Sequence, residues 1–465
     1  MHRAADLVAD YLERVGDYPV LPPVKPGEVR AQLPAQPPQA GEPMDALLGD
    51  YRRLIEPNVT HWNHPGFFAY FAITGSEPGI VAETLTAGLN VNHMLWKSGP
   101  APTELEETVT DWLRQMMDLP AAFKGHINDT ASSSTLVAIA AARHKASQGE
   151  VRTRGLAGRP GMTVYASDHV HSSIDKAVMT LGLGHEQLRR VPVDERFAMR
   201  PEALAAMIAQ DRKAGFQPIC VVATGGTTST TSVDPFRACA GVAHDEGLWL
   251  HADTAYAGAA AICPEYRATL DGLELADSIV VNPHKWLFTP VDCSVLFVKE
   301  PEVVRAAFTL TPEYLKTSEQ GVTNLMDYGP QLGRRFRSLK LWFVIRSYGV
   351  EGLRALIRGH CEMARRFADW VGSTPGFEVC APVPFSTVCF RAVTPGTLEE
   401  QNAFNERLLA KVNAASPVFL GHTKVQDRVM IRLAIGNART TEAHVRAAWD
   451  LVRDSADASR NGRPD

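Results

Sequence analysis

The sequence predicts an α/β fold in which helices cover a mostly parallel sheet. Between about residues 125 and 300, short apolar runs alternate with runs of helical length and periodicity. Such alternation is typical of parallel strands joined by crossover helices. Polar residues of chemical interest follow the apolar runs directly, where the strands of a parallel sheet bind ligands. Because 465 residues exceed one ordinary domain, we expect two or three lobes.

The first predicted element is an amphipathic helix, because apolar residues between Ala4 and Val15 recur at helical spacing. A proline-rich segment follows, with eight prolines from Pro19 to Pro43. Proline lacks an N–H donor and restricts φ, so this density excludes a helix or a central strand. The segment is either a linker or an arm that packs on another surface, such as a partner subunit.

Strands and helices then alternate through the middle of the chain. Apolar runs predict strands at residues 163–166, 219–223, 248–252 and 278–281, and helices at 133–143 and 235–244. Beyond about residue 340, a long helix leads to a smaller α+β lobe with strands near 388–393 and 430–435. The tail from Asp454 is polar and is predicted to be disordered.

Composition indicates a soluble cytoplasmic protein. Hydrophobic residues make up 45% and charged residues 21%, and the net charge of −5 points to neither nucleic acid nor an anionic membrane as partner. No apolar stretch approaches the ~18–20 residues that span a bilayer. Asp6, Asp10 and Glu13 interrupt any signal-peptide core. Seven cysteines without a CxxC pair indicate reduced thiols.

Several common motifs are absent from the sequence. It contains no GxGxxG after a strand, no Walker A loop, no HExxH and no GxSxG. His169 and His171 lie close together, yet no set of ligands at metal-binding spacing accompanies them, so no metal is expected. The basic run at 334–337 has acidic residues nearby in the chain, which favours a solvated or structural role over nucleic-acid binding.

A lysine and a carboxylate each follow a predicted strand. Lys285 lies in the run NPHKW, among apolar neighbours, and burial favours the neutral amine that forms imines. Asp253 closes the preceding strand and has two interpretations. It either caps a helix or pairs with the pyridine nitrogen of a cofactor held on Lys285 as a Schiff base. Protonation of that nitrogen makes the ring an electron sink.

Two polar loops predict a phosphate site. Residues 129–135 combine small residues and hydroxyls at the start of an apolar helix, where an anion is favoured. An ordinary serine-rich N-cap is the alternative. The loop at 225–230 follows another strand and is placed to close the same pocket. His171 follows a fourth strand, where its ring is either structural or stacked on a cofactor. Together these parts predict pyridoxal 5′-phosphate.

With these residues in place, the chain resembles the group II pyridoxal-phosphate decarboxylases, in particular the aromatic-L-amino-acid decarboxylase branch. The resemblance runs in consistent order from about residue 1 to 450. The matching stretches are 64–65, 67–71, 103–106, 172–173, 197–200, 251–264, 282–287, 312–316 and 332–340.

The resemblance implies a fold-type I enzyme. Its large domain has a mostly parallel seven-stranded sheet between helices, and it also has a small C-terminal α+β domain and an N-terminal helical arm. It further implies an obligate homodimer with the active site at the subunit interface, where the arm packs on the partner subunit. We therefore expect the arm at residues 1–85, the large domain at 86–350, the small domain at 351–455 and a disordered tail at 456–465.

The same resemblance assigns roles to individual residues. The cofactor would be held by Ala131, Ser132, His171, Thr227, Asp253, Ala255, Asn282, His284 and Lys285. Within this set, Ala131, Ser132 and Asn282 would hold the phosphate, and His171 would stack on the ring. The predicted catalytic residues are Lys285, Tyr328, His171 and His284.

Tyr328 matches the loop tyrosine to which the family's proton donation is attributed. Relatives with phenylalanine at this position tend to make aldehydes and consume oxygen, so Tyr328 favours simple decarboxylation. A tyrosine on a loop rich in glycine and proline would otherwise be a surface residue. The loop after Tyr328 is shorter than in animal members, which bears on how the lid closes.

The substrate pocket is expected to be aromatic and weakly polar. Its predicted residues are Trp62, Tyr70, Phe71, Ile73, Met94 and Gly333. Ile73 stands where some relatives have threonine, and Gly333 leaves more space than a serine, so the pocket lacks hydroxyls that would select a catechol. Core packing is the alternative explanation for the aromatic residues among them.

The predicted activity is therefore decarboxylation of an L-amino acid, aromatic in type (Phe, Trp, Tyr or DOPA), to the arylalkylamine and carbon dioxide. One alternative is a decarboxylase of histidine, diaminobutyrate or glutamate. Another is an aromatic aldehyde synthase. A third is a catalytically idle scaffold, which the intact set of Lys285, Asp253, His171 and Tyr328 disfavours.

Overall fold

The computed structural model describes residues 1–310, 315, 319–415 and 417–460. The chain divides into two compact units. Unit 1 comprises Met1–Ala72, Met363–Cys380 and Val388–Asp465, and unit 2 comprises Ile73–Glu362 and Ala381–Thr387.

The described strands and helices are numbered in chain order. The strands are β1 (Phe67–Phe68), β2 (Lys124–Asn128), β3 (Met162–Ser167), β4 (Leu188–Val191), β5 (Gln217–Thr224), β6 (Trp249–Asp253), β7 (Ser278–Val281), β8 (Ser294–Val298), β9 (Phe377–Val379), β10 (Thr387–Ala392), β11 (Phe419–Val425) and β12 (Arg428–Ala434). The helices are α1 (His2–Arg14), α2 (Glu28–Gln32), α3 (Met44–Asp50), α4 (Glu77–Leu89), α5 (Pro100–Met116), α6 (Ala131–Ala146), α7 (Glu150–Arg154), α8 (Ser173–Thr180), α9 (Pro201–Lys213), α10 (Phe236–Asp245), α11 (Pro264–Arg267), α12 (Pro283–Trp286), α13 (Pro301–Phe308), α14 (Ser338–Ser373), α15 (Leu398–Ala414) and α16 (Glu442–Arg460).

Unit 2 is built on a seven-stranded sheet with the order β2-β8-β7-β6-β5-β3-β4. The neighbours from β7 through β6, β5 and β3 to β4 are parallel. β8 runs antiparallel to both β7 and β2. This arrangement confirms the predicted mostly parallel sheet of seven strands.

The central strands are continuous apolar runs because both faces of the sheet are covered. Every residue of β6, β7 and β8 is buried. Ile139 of α6 packs in one cluster with Val164, Val222 and Val280 from β3, β5 and β7. Burying an aliphatic side chain of this size contributes roughly 1.5–3 kcal/mol, so this layer provides much of the stability of unit 2.

Unit 1 contains a five-stranded sheet with the order β1-β11-β12-β10-β9. β1 pairs in parallel with β11, and Phe67 lies opposite Phe419. The Asn437 side chain donates to the carbonyl of His64 at 2.9 Å. The N-terminal segment therefore packs against the C-terminal segment of its own chain.

Most predicted elements are confirmed to within two residues. The predicted strands correspond to β3, β5, β6, β7, β10 and β12, and the predicted helices to α1, α6 and α10. The disorder predicted from Asp454 onward is wrong as far as Arg460, because α16 continues to that residue. Ala456 is buried there, and Arg460 donates to the carbonyl of Gly376 at 2.6 Å. Residues 461–465 lie outside the described residues.

The seven cysteines, all of them within the described residues, form no disulfide. No helix in the described part of the chain is both long and apolar enough to cross a membrane.

A glycine lies where the turn after β6 meets β7. A Cβ on Gly258 would come within 2.7 Å of the Val281 side chain and 2.8 Å of Thr254 Oγ1. Thr254 Oγ1 donates to the carbonyl of Val280 at 2.8 Å, so the glycine permits a contact that links β6 to β7.

We expect Gly258→Ala to lower the free energy of unfolding by about 1–3 kcal/mol, because overpacking forces the two strand ends apart. Gly241→Ala is the matched control. A Cβ there meets nothing within 4 Å in the middle of α10, so that change should raise stability by about 0.5–1 kcal/mol. Urea unfolding measures both, and equal effects of the two changes would contradict the close contact.

Candidate active site

The predicted site residues of unit 2 lie at the carboxyl ends of adjacent parallel strands. His171, Thr227, Asp253 and Lys285 follow or end β3, β5, β6 and β7, respectively. Because these four strands are consecutive neighbours in the sheet, their ends form one edge. The structure thus brings together residues that are up to 114 positions apart in the sequence.

Lys285 lies in the short helix α12, directly after β7. Its backbone N–H donates to the carbonyl of Asn282 at 2.9 Å, and the N–H of Asn282 donates to the carbonyl of Ala255 at 3.0 Å. Burial lowers the pKa of the Lys285 ammonium, and the negative charge of Asp253 opposes this effect in part. The side chain is therefore closer to the neutral amine that attacks a carbonyl carbon.

Asp253 is the last residue of β6 and is 5% exposed. Its Oδ1 accepts the backbone N–H of Ala255 at 3.2 Å, which fixes the orientation of the carboxylate. A buried carboxylate is costly unless a cationic group faces it. The position therefore suits a pyridinium nitrogen.

Two histidines beside this pair are held with one ring nitrogen as an acceptor. Nδ1 of His171 accepts the backbone N–H of Ser173 at 3.1 Å, and Nδ1 of His284 accepts that of Cys293 at 2.9 Å. Burial lowers the pKa of both rings, and with the nearby Lys285 it brings the pKa of His284 to about 3. Both rings are therefore neutral near pH 7, with the proton on Nε2.

The loop before α6 and the residues around it offer donors for a phosphate. Ala131 and Ser132 form the first turn of α6, where backbone N–H groups have no carbonyl partner within the helix. Asn282 is 2% exposed, and its side-chain Oδ1 has no hydrogen-bond partner within the described ranges. Since amide oxygen and nitrogen are assigned from partners, this amide has bonding capacity available for a ligand.

Thr227 is fully buried in the second polar loop. Its hydroxyl accepts the backbone N–H of Ser232 at 3.1 Å and lies 2.8 Å from the Ser232 hydroxyl. Asp234, which sequence reasoning missed, holds this loop to the sheet, because its carboxylate accepts the N–H groups of Thr224 and Met199. Burial raises the pKa of Asp234 to about 6.

His251 is a second residue whose role sequence reasoning missed. It is fully buried on β6, with Nδ1 2.9 Å from the Ser278 hydroxyl of β7 and Nε2 3.4 Å from the Thr135 hydroxyl of α6. Burial lowers its pKa to about 4. The sequence signal that could have identified His251 is a polar residue inside an apolar strand, two positions before Asp253.

Tyr328 lies beside His126 of β2, with 5.2 Å between the ring centroids. It ends a short helix, Leu325–Tyr328, and lines a cavity of about 320 Å³ together with His126. Lys285, Asp253 and His171 are not among the described residues that line this cavity. Burial raises the pKa of the Tyr328 phenol, so the group retains its proton.

The predicted substrate residues fall into two groups. In unit 2, Met94 lies 3.7 Å from the Asn92 amide, and a Cβ on the exposed Gly333 would lie 3.8 Å from the same amide. Ile73 is partly buried. In unit 1, Trp62 stacks on Tyr70 at 5.7 Å between ring centroids, and Phe71 lies under Arg432.

One of the stretches that carry the resemblance is mostly outside the described residues. Of Pro312-Glu313-Tyr314-Leu315-Lys316, Leu315 alone is described, and it packs with Leu95 and Met326.

Comparison with known proteins gives a consistent result. A family model described as the pyridoxal-dependent decarboxylase conserved domain matches residues 26–393. The chain is 42% identical over 471 residues to an aromatic-L-amino-acid decarboxylase of Sus scrofa, with 97% of this chain and 94% of the relative covered. It is 40% identical over 467 residues to a phenylacetaldehyde synthase of Arabidopsis thaliana, with 98% and 94% covered. A solved structure of Oryza sativa TDC with PLP and tryptamine has a TM-score of 0.95 at 38% identity, with 98% and 97% covered.

The residues at the strand ends fit pyridoxal 5′-phosphate. The N-terminus of α6 and the available amide of Asn282 suit its phosphate, the buried Asp253 carboxylate suits its pyridine nitrogen, and the amine of Lys285 suits its aldehyde. Pyridoxal 5′-phosphate is therefore the cofactor.

We expect Lys285→Ala to lose the covalently attached cofactor, because alanine has no amine. The measurement is the visible absorbance of the desalted protein and its mass after borohydride reduction. Lys299→Ala is the matched control, since burial also lowers the pKa of Lys299 while its ammonium donates to the carbonyl of Leu275. A borohydride-fixed adduct in the Lys285 variant would remove Lys285 from this role.

Proposed function

The chain belongs to the pyridoxal-dependent decarboxylase family, and we propose that it converts an aromatic L-amino acid to the arylalkylamine and carbon dioxide. The observation that carries the proposal is the placement of Lys285, Asp253 and His171 on one sheet edge. The sequence likeness to an aromatic-L-amino-acid decarboxylase over nearly the whole chain supports the aromatic substrate.

Each of these residues has a defined task. The cofactor supplies an electron sink for the pair left on the substrate carbon when carbon dioxide leaves. Lys285 provides the amine that holds the cofactor, and Asp253 holds the proton on its ring nitrogen. His171, whose ring is fixed by Ser173, would offer a flat neutral surface to the cofactor ring. Ala131, Ser132 and Asn282 would hold the phosphate, and Thr227, Ala255 and His284 would make the remaining contacts with the cofactor.

Substrate choice rests on residues of low polarity. In unit 2, Ile73, Met94 and Gly333 offer no side-chain hydroxyl, which supports use of phenylalanine, tryptophan or a broad range of aromatic rings. Apolar contacts discriminate by only about 1–3 kcal/mol per group, so activity on several rings is expected. The roles of Trp62, Tyr70 and Phe71 in substrate binding stay a prediction.

The proposal assigns the return of a proton to the substrate carbon to Tyr328. Its raised pKa keeps the phenol protonated at neutral pH, as a proton donor requires. The likeness to a phenylacetaldehyde synthase makes aldehyde formation the second candidate. In that reaction, amino acid, dioxygen and water give aldehyde, carbon dioxide, ammonia and hydrogen peroxide.

The assembly is part of the proposal. We propose a cytoplasmic homodimer whose active site lies at the subunit interface, with residues 1–85 packing on the partner subunit as well as on their own chain. The proposed domains remain 86–350 for cofactor binding and 351–455 for the small domain. The odd, CxxC-free set of cysteines supports a reducing compartment.

The experiment that tests the function is amine and carbon dioxide release by the cofactor-loaded protein from a panel of L-amino acids. We expect equal amounts of both products from at least one aromatic substrate, with Lys285→Ala as the inactive control. Turnover of histidine, diaminobutyrate or glutamate instead would overturn the aromatic assignment. A loaded protein that releases no carbon dioxide from any amino acid would be a scaffold.

We expect Tyr328→Phe to lower amine formation by about 10²–10⁴-fold, the usual contribution of a positioned proton donor. Aldehyde and peroxide should rise, because dioxygen then competes for the same electron pair. Amine, aldehyde and peroxide are quantified in one reaction, with Tyr266→Phe as a control for the same change elsewhere in unit 2. An unchanged product mixture would refute the donor role.

A further inference from the structure

The cavity that Tyr328 lines has a polar mouth and a buried polar floor. It has a volume of about 320 Å³ and lies against β2, at the edge of the seven-stranded sheet. Glu107 and Lys124 are exposed, whereas His126 is 1% exposed. The cavity therefore connects solvent to a buried imidazole. The polar residues that line it include Glu107, Asp111, Lys124, His126, Thr323 and Tyr328.

His126 has bonding capacity that its surroundings do not use. Neither ring nitrogen has a hydrogen-bond partner in the described part of the chain. Leaving a buried polar group unsatisfied is destabilising, and an apolar residue at this strand position would avoid that loss. The ring centroid of His126 lies 5.2 Å from that of Tyr328. The tyrosine that the proposed function uses therefore lies beside a buried imidazole with unused hydrogen-bonding capacity.

The segment that follows Tyr328 is hydrogen-bonded to residues at or just after the end of β2. Gln331 donates to the Asp129 carboxylate at 3.2 Å, and the Arg334 guanidinium donates to the carbonyl of Ile127 at 2.6 Å. A Cβ on Gly329 would lie 3.9 Å from Asn128 Oδ1. Tyr328 thus lies beside His126 because Gln331 and Arg334, which follow Tyr328, are hydrogen-bonded to residues that follow His126 in the chain.

Burial keeps the His126 ring neutral, and the charge of Arg334 adds to this effect. Burial and the nearby Arg334 guanidinium lower its pKa to about 3, against the opposing charge of Glu106. Glu107, Asp111 and Lys124 are the charged groups that line the cavity. A neutral imidazole has one N–H donor and one acceptor nitrogen, so it can release a proton from one nitrogen while taking up another on the second.

Each decarboxylation leaves the substrate carbon one proton short. Under the proposed function Tyr328 supplies this proton, and its phenolate must regain one from solvent before the next turnover. We propose that His126 is the positioning residue that returns this proton, with water in the cavity as the carrier. The N–H of His126 gives its proton toward the phenolate oxygen, and the other ring nitrogen takes one from solvent. The net transfer is one proton from solvent to the substrate carbon.

This inference rests on the donor role of Tyr328, so the experiment separates the two. His126→Gln keeps polar atoms and similar size but cannot exchange protons in this way. His144→Gln is the matched control, because His144 is a partly buried histidine of α6 that does not line the cavity. All variants are compared as holoenzymes by melting temperature and cofactor absorbance before kinetics.

For His126→Gln we expect kcat for amine formation to fall about 10-fold or more. This loss should be smaller than the loss caused by removing a direct proton donor. KM should be unchanged, and the aldehyde share should rise. His126→Ala should regain amine formation when imidazole is added, whereas His126→Ala combined with Tyr328→Phe should not. A structural role alone would not respond to imidazole.

Three outcomes would overturn the inference. One is a His126→Gln variant with the kcat and product ratio of the parent, in which case Tyr328 could still be the donor. Another is a folded His126→Ala variant that imidazole fails to restore. The third is an unchanged product mixture in Tyr328→Phe, which removes the donor role of the proposed function itself and the relay with it.

Discussion

The parallel pairing of β6 with β7 is the constraint on which the chemistry of this protein depends. It sets Asp253 opposite Val280, and Lys285 follows five residues after Val280 along the chain. The Thr254 hydroxyl and the N–H of Asn282 then bond across the same two strand ends. A carboxylate and the amine whose pKa its charge raises are thus held by backbone geometry, and Gly258 leaves the space that this approach requires.

A second constraint acts at β2, one of the two edge strands of the seven-stranded sheet. Glu106 is 1% exposed and accepts the backbone N–H of Ile127 and a guanidinium N–H of Arg334, both at 2.8 Å. Burial raises the pKa of Glu106, yet Arg334 and His93 hold it at about 2. Removing one partner of such a buried pair costs about 3–5 kcal/mol. This ion pair joins α5, β2 and the segment after Tyr328, so the edge strand positions both the tyrosine and the start of α6.

The sequence predicted the central layer well because its strands are buried on both faces. β5 and β7 contain uninterrupted apolar runs and β6 is interrupted by His251, and polar residues of the site follow or end these strands. The edge strands β2 and β4 carry exposed or partly exposed residues such as Lys124 and Arg190, so no apolar run marks them. The positions of Asp234 and Tyr328 depend on contacts distant in sequence, which no local pattern reports. For α16, the burial of Ala456 outweighed a polar composition that indicated disorder.

The structure also suggests what separates the two reactions found among the relatives of this chain. A decarboxylase and an aldehyde synthase resemble it about equally, at 42% and 40% identity, so the fold and the cofactor site do not distinguish them. After carbon dioxide leaves, a proton and dioxygen compete for the same electron pair. Under the proposed function, the residues that govern proton supply therefore determine the product. In this chain the phenol of Tyr328 has a raised pKa and lies beside a neutral histidine at the floor of a cavity open to solvent. If Tyr328 is the donor, as proposed, a phenol that holds its proton tightly needs that proton replaced between turnovers, and this is the role proposed for the imidazole of His126 on β2.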